Sequence, residues 1–241
     1  MKRPIIILFS LASFYLNPAL KAQILTEGYL DLGKSMVSEG FYSQFSNIGS
    51  FEKQKWGAQA GYQLGLVQPQ DVIFNSWYAS SYGKIKTGNI PLDLGAEYLW
   101  NAFSPDLRET NWIVFARTTL NHWQFGLGTS VRTYRLSNKA AQNAPQFDTE
   151  NRITEKWNML YHATYVLKPY ENRWNLSFSI RNYDRFIIQQ ENNPMYNLRF
   201  DYKLSTSLSA YSELWYKTAG LMVIRVTYYG MFLRLGVLWK I

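Results

Sequence analysis

Taken two residues at a time, the chain sorts into apolar and polar faces along most of its length. In 123–133 the odd positions are Trp123, Phe125, Leu127, Thr129, Val131 and Thr133, and between them lie Gln124, Gly126, Gly128, Ser130 and Arg132. Tyr196, Leu198, Phe200, Tyr202 and Leu204 alternate with Asn197, Arg199, Asp201 and Lys203. Trp174, Leu176, Phe178 and Ile180 stand opposite Asn175, Ser177, Ser179 and Arg181. In the last segment Met231, Leu233, Leu235, Val237, Trp239 and Ile241 oppose Phe232, Arg234, Gly236, Leu238 and Lys240. Successive side chains of a strand point to opposite faces, so each segment predicts a β-strand with one apolar side. The same pattern, less clean, runs through 56–64, 92–100, 112–119 and 157–165, whereas in 72–84 the two faces are hard to tell apart. Helical periodicity is scarce.

Short connections at 67–70, 168–172 and 204–206, and at Asn121, read as turns, and 137–152 and 189–194 as longer polar loops. The pattern predicts an all-β chain of about twelve antiparallel strands, with ten as the alternative. The open segments are 36–46 and the split near 228–230. Twelve strands are expected to place loop 137–152 on the side of the C-terminus. Ten, reached by merging two C-terminal segments and dropping the first strand, place it on the other.

The first residues follow another rule. Lys2 and Arg3 precede an apolar stretch, 5–16, that is too short to span a bilayer, and Asn17-Pro18 ends it. This is the layout of a secretion signal, with cleavage expected after Ala22 although Leu20 is larger than the residue usual at that place. The division is therefore 1–22 as signal peptide and 23–241 as one domain. Loss of Lys2, Arg3 and Lys21 takes the net charge from +8 to +5. With no basic run and with export implied, nucleic acid is excluded as a partner. The absence of cysteine excludes disulfides, thiol catalysis, thiolate metal sites and an N-terminal lipid anchor on cysteine.

Composition then narrows the architecture. The chain holds 9 Trp, 18 Tyr and 14 Phe, yet its mean hydropathy is below zero, and no run beyond the signal is long and apolar enough for a membrane helix. Alternation alone also fits a soluble sandwich. Three features favour a transmembrane barrel. The apolar faces carry Trp or Tyr near their ends (Trp157 and Tyr165, Tyr196 and Tyr202). The polar faces set glycine beside arginine, as in Gly126, Gly128 and Arg132. The chain ends on the apolar strand LGVLWKI. In these respects it resembles small porin-like outer-membrane β-barrels of Gram-negative bacteria, although their last residue is usually aromatic and here it is Ile241. The resemblance implies an antiparallel transmembrane barrel in the outer membrane, in contact with its lipid.

Catalytic chemistry is thin. His162-Ala163-Thr164 resembles the His-x-Ser element of outer-membrane phospholipase A, but has Thr for Ser, and its parity points His162 into the lumen. No third triad member can be placed, and a polar wall residue is the plainer role. His122 falls at a turn. No cofactor is implied and no spacing of ligands suggests a metal. The constellation that remains is charge on the polar faces: Arg117, Arg132, Arg181, Arg199, Lys203, Arg225, Arg234 and Lys240 against Asp93, Glu97, Asp201 and Glu213. These are the expected lumen-lining residues. Either they form a ladder of ion pairs that fills the lumen, or they leave an interior with excess positive charge that favours anions. The matching functions are a narrow passive channel for small polar or anionic solutes and a non-conducting accessory subunit working with other envelope proteins. A lipid-modifying barrel enzyme is a third.

Overall fold

The computed structural model describes residues 23–34, 41–67, 75–142, 151–167, 173–188, 193–217 and 230–241. Residues 1–22, the turns at 68–70 and 168–172, Arg225 and the 228–229 split lie outside them.

Twelve strands close into an antiparallel barrel. They are β1 (Gln23–Lys34), β2 (Phe41–Glu52), β3 (Trp56–Val67), β4 (Asn75–Thr87), β5 (Ile90–Ala102), β6 (Leu107–Leu120), β7 (Trp123–Leu136), β8 (Arg152–Leu167), β9 (Trp174–Arg181), β12 (Met195–Lys203), β13 (Leu208–Lys217) and β14 (Met231–Lys240). Each pairs with the next, and β14 closes on β1 from Leu25↔Lys240 to Gly33↔Phe232. A closed ring of paired strands is the condition for strands to cross hydrocarbon; beyond Arg181, residues 152–161 of β8 run on with β7 as their paired neighbour. The two remaining strands, β10 (Tyr183–Asp184) and β11 (Ile187–Ile188), pair only with each other and leave the wall between β9 and β12.

Turn chemistry separates the two ends. At one end lie the reversals at Gly88-Asn89 and Asn121-His122, where Gly88 (φ +63°) and Asn121 (φ +54°) supply the left-handed backbone a two-residue hairpin needs, together with 53–55 and 204–207. The longer connections leave and re-enter the wall at the other end, between Leu136 and Arg152, where α1 (Asn138–Ala141) follows β7, and between Arg181 and Met195. This corrects one expectation. Seven strands precede loop 137–151, because 41–52 forms a full strand, so a twelve-stranded barrel carries it opposite the C-terminus. In barrels of this class the short turns are periplasmic and the longer loops outside.

Outward positions are apolar and exposed, including Val114, Leu127, Leu198, Leu214 and Leu235. Aromatic rings bound this band at both ends. Trp56, Trp123, Tyr165, Tyr202 and Trp239 lie towards the short turns, and Trp77, Trp112, Trp157 and Tyr216 towards the long loops. Neighbouring rings touch, as in Trp123–Tyr165 at 5.0 Å and Tyr98–Trp112 at 4.6 Å. An amphipathic ring suits the headgroup level, so the pattern is that of a lipid-facing wall.

A bulge interrupts β8. The register passes from Ser130↔Asn158 to Arg132↔Glu155, and Trp157 takes φ +63°. The extra residue flips the parity beyond it, turning Glu155 inward to Arg132. Inside, large rings lie flat on glycine. A Cβ at Gly126 would meet the His162 ring at 2.1 Å, and one at Gly236 the Tyr211 ring at 2.3 Å. Only glycine admits so close an approach.

Candidate functional site: the lumen and its inward hairpin

The β10–β11 hairpin crosses the lumen. Its origin is local. Arg181 is the last residue of β9 paired to β8 and β12. Asn182 next holds β8, its amide nitrogen donating to the Met159 carbonyl (2.7 Å) and its side-chain oxygen accepting from the Tyr161 amide (2.8 Å). The chain then turns inward. Its reversal at Arg185-Phe186 puts Arg185 at φ +31°, a conformation costly for a side chain with a Cβ and usually given to Asn or Gly in such a turn.

Contacts on every side hold that turn. Arg185 Nη1 donates to Glu27 Oε2 on β1 at 2.6 Å, and Tyr211 Oη to the other Glu27 oxygen at 2.6 Å. Phe186 meets Tyr78 on β4 edge-on, with centroids 5.9 Å apart. Arg132 on β7 donates to the Ile188 carbonyl at 3.1 Å. Asp184 accepts from Arg234 at 2.9 Å and from Arg181 at 3.3 Å.

Arg234 sits at the middle of the network. It grips Asp31 with two nitrogens, at 2.7 and 3.1 Å, and its guanidinium lies 4.0 Å from the Tyr29 ring centre. Arg199 forks onto Asp201 (2.6–2.9 Å), donates to Glu213 at 2.7 Å and stacks 3.8 Å from the Tyr211 ring centre. Trp215 Nε1 donates to the second Glu213 oxygen at 2.6 Å. Arg117 pairs with Glu97. Buried charges of this kind are tolerated only when paired and hydrogen-bonded, and the bidentate guanidinium geometry is the strong form of that pairing.

The hairpin divides the lumen. Towards the long loops, Tyr42, Met195, Trp215 and Phe232 form a buried apolar cluster with Ile187 packed on it. Towards the short turns there is a cavity of about 440 Å³. Tyr183, Asp184 and Arg185 border it, and Gln124, Val166 and Asn175 line it near the turns. Its wall also carries Arg117, Arg181, Arg199 and Arg234 with Glu27, Glu97, Asp201 and Glu213.

Seven of the charged residues singled out in the sequence thus meet at this cavity, Arg117, Arg181, Arg199, Arg234, Glu97, Asp201 and Glu213, together with His162. Arg132 is buried on the long-loop side of the hairpin, against Asn111 and Tyr134. Asp93, Lys203 and Lys240 stand near the short-turn end, with both lysines exposed. Arg225 lies outside the described residues. Among the described residues the count of inward charges differs from the one the clean strands give. Glu27 and Asp31 on β1, Glu109 on β6, Glu155 beyond the bulge and Asp184 on the hairpin also face inward and balance the arginines. The β1 acids had a signal, since Glu27, Tyr29 and Asp31 alternate with Gly28, Leu30 and Leu32, but Thr26 and Gly28 blur the apolar side. For Asp184 and Arg185 the sequence offers only YDRFII, too short for a wall strand. His162 faces inward over Gly126, with Tyr183 Oη 3.4 Å from Nδ1.

No protein-family model matches the chain, and no curated protein matches its sequence. Solved structures do resemble it. The KdgM porin in complex with disordered oligogalacturonate aligns with a TM-score of 0.53 at 10% identity, over 90% of this chain and 98% of that one. The NanC porin aligns at 0.51 and 11% identity, over 90% and 100%. Omp33 of Acinetobacter baumannii aligns at 0.51 and 9% identity, over 92% and 99%. At these identities the likeness is one of fold, and the fold is that of porin-like outer-membrane barrels.

Proposed function

We propose that the chain is a narrow passive channel of the outer membrane for small polar solutes, with the β10–β11 hairpin as its constriction. The observation that carries this reading is the polar cavity of about 440 Å³ inside a closed barrel, bordered by that hairpin. A wall of amides, hydroxyls and matched charges offers hydrogen bonds to a passing solute without a strong net field. The residues named above as lining the cavity set that lumen. The porin neighbours, one solved with an acidic oligosaccharide, support a channel. The balance of charge favours uncharged and zwitterionic solutes over strongly anionic ones. Residues 1–22 are the export signal in this reading, and the mature chain begins at Gln23, which N-terminal sequencing of membrane-extracted protein checks.

Conductance in planar bilayers is the direct test. The intact protein is expected to give small unitary steps, and replacement of 183–188 by a Gly/Ser segment of equal length to raise them several-fold. A second reading, a non-conducting accessory subunit, draws on the ion pairs that fix the hairpin to β1, β9 and β14. A folded protein that conducts neither with nor without its hairpin supports that reading and removes the channel.

A further inference from the structure

The outward face holds one row that lipid tails do not explain. At the long-loop end of the wall, Arg108 on β6 is paired directly with Arg135 on β7, and Arg135 with Arg152 on β8. All three point out, because the flanking Glu109, Tyr134 and Ile153 take the inner side. Directly opposed side chains in a sheet have Cβ atoms roughly 5 Å apart, and like charges so placed repel. Arg108 and Arg135 are exposed. Among the described residues neither forms an ion pair: Glu109 points inward, and Asp106 accepts from Ser137.

The rows beneath give the depth. The next outward row is Thr110, Thr133 and Thr154, with the last two hydroxyls 3.2 Å apart. Below them comes the aromatic girdle of Tyr98 and Trp112. Cations above hydroxyls above aromatic rings is the order met on passing from a membrane's charged headgroups towards its hydrocarbon. Guanidinium is the side chain best shaped for phosphate, which it binds with paired N–H donors.

We propose that Arg108, Arg135 and Arg152 form a binding site for phosphate groups on the headgroup of an outer-leaflet lipid. The site needs only Arg108 and Arg135 to be available. It rests on the membrane-spanning fold and not on conduction, so it stands or falls separately from the channel reading. A free phosphate offers the same oxygens, but the hydroxyl and aromatic rows suit a ligand whose remainder continues into the bilayer.

The test uses the purified barrel in detergent with three probes: diphosphorylated lipid A, the same glycolipid stripped of phosphate, and inorganic phosphate. Retained ligand is counted by native mass spectrometry, and heat-dependent gel mobility confirms that each variant is folded. The wild-type chain is expected to retain the phosphorylated lipid in preference to the stripped one. Arg108→Gln with Arg135→Gln should weaken that retention by about tenfold, since two charge-assisted contacts are lost. Lys55→Gln, at the opposite end, should leave it unchanged. Equal retention by the double variant, or of the stripped lipid, overturns the site. Inorganic phosphate that competes as well as lipid-borne phosphate makes it a free-anion site and overturns the assignment to lipid.

Discussion

Above and below the hairpin the lumen is built in two ways. Towards the long loops it is filled: Trp215 and Phe232 stack with planes 3° apart, Tyr42 and Met195 complete the cluster, and Ile187 seals it from the hairpin side. Towards the short turns the same β12 and β13 enclose a polar cavity whose side chains are amides, hydroxyls and paired charges. Apart from bulges in β3 and β8, the wall strands run through both halves with the same two-residue period. What differs is the inward residue at each level, and what the hairpin turns towards it. Ile187 and Ile188 meet apolar partners, whereas Asp184 and Arg185 meet charges. The lumen is narrowed by a graft fixed to the wall, not by narrowing of the wall. Its width at this level therefore depends on specific anchors.

The sharpest way to break this comparison is to make the same acid-to-amide change on both sides. Asp31 is buried and shares Arg234, itself 3% exposed, so Asp31→Asn leaves a buried guanidinium short of its main partner. Removing one member of such a pair costs about 3 kcal/mol or more. Glu97→Gln removes the partner of Arg117, whose side chain is 29% exposed to the cavity and can be solvated there. That change should cost about 1 kcal/mol or less. Urea unfolding in lipid vesicles, followed by tryptophan fluorescence, measures both. Equal losses would show that the cavity is as dry as the anchored side.

A second change tests whether the wall meets lipid all the way round the barrel. Val114 on β6 and Leu235 on β14 lie well apart around the barrel and both face outward, 57% and 43% exposed. Arginine at either site should destabilise the folded barrel by about 2–4 kcal/mol near the bilayer midplane. A cost at one site only would mean that the apolar band is covered by something other than lipid on the other side.

These contrasts also mark how much the sequence discloses. The wall is legible where burial on one face and lipid on the other impose a two-residue period, as in 123–133 and in 196–204, where Leu198 is exposed and Arg199 lines the cavity. The ends of strands are legible where backbone geometry demands a residue type, as at Gly88 and Asn121. The hairpin is not. Six residues that leave the wall carry no period, and nothing near Arg185 announces that Glu27, over 150 positions earlier, will hold it. The count of inward charges differs for the same reason. Counting only clean strands omits β1, where glycine and threonine dilute the apolar face, and omits the hairpin. The bulge at Trp157 is likewise set by tertiary pairing, and it alone turns Glu155 towards Arg132.

The smallest effect expected is also the one that tests charge balance most directly. Around the cavity the five guanidiniums of Arg117, Arg181, Arg185, Arg199 and Arg234 face the five carboxylates of Glu27, Glu97, Asp184, Asp201 and Glu213. Opposite charges a few ångströms apart cancel beyond their own separation, and salt screens what remains over about 8–10 Å. A channel lined this way should show a reversal potential near zero in a salt gradient. Asp184→Asn keeps the shape of the side chain and its place beside Arg234 and Arg181, but leaves one positive charge uncompensated at the constriction. The reversal potential should then move to the anion-selective sign, more at low salt than at high, with unitary conductance little changed. The sign follows from the charge removed, and the salt dependence separates an electrostatic cause from a change in width. If the unmodified channel is already strongly anion-selective, the carboxylates do not neutralise the pore. If Asp184→Asn shifts conductance and not selectivity, Asp184 acts as an anchor of the hairpin and not as part of the field that ions meet.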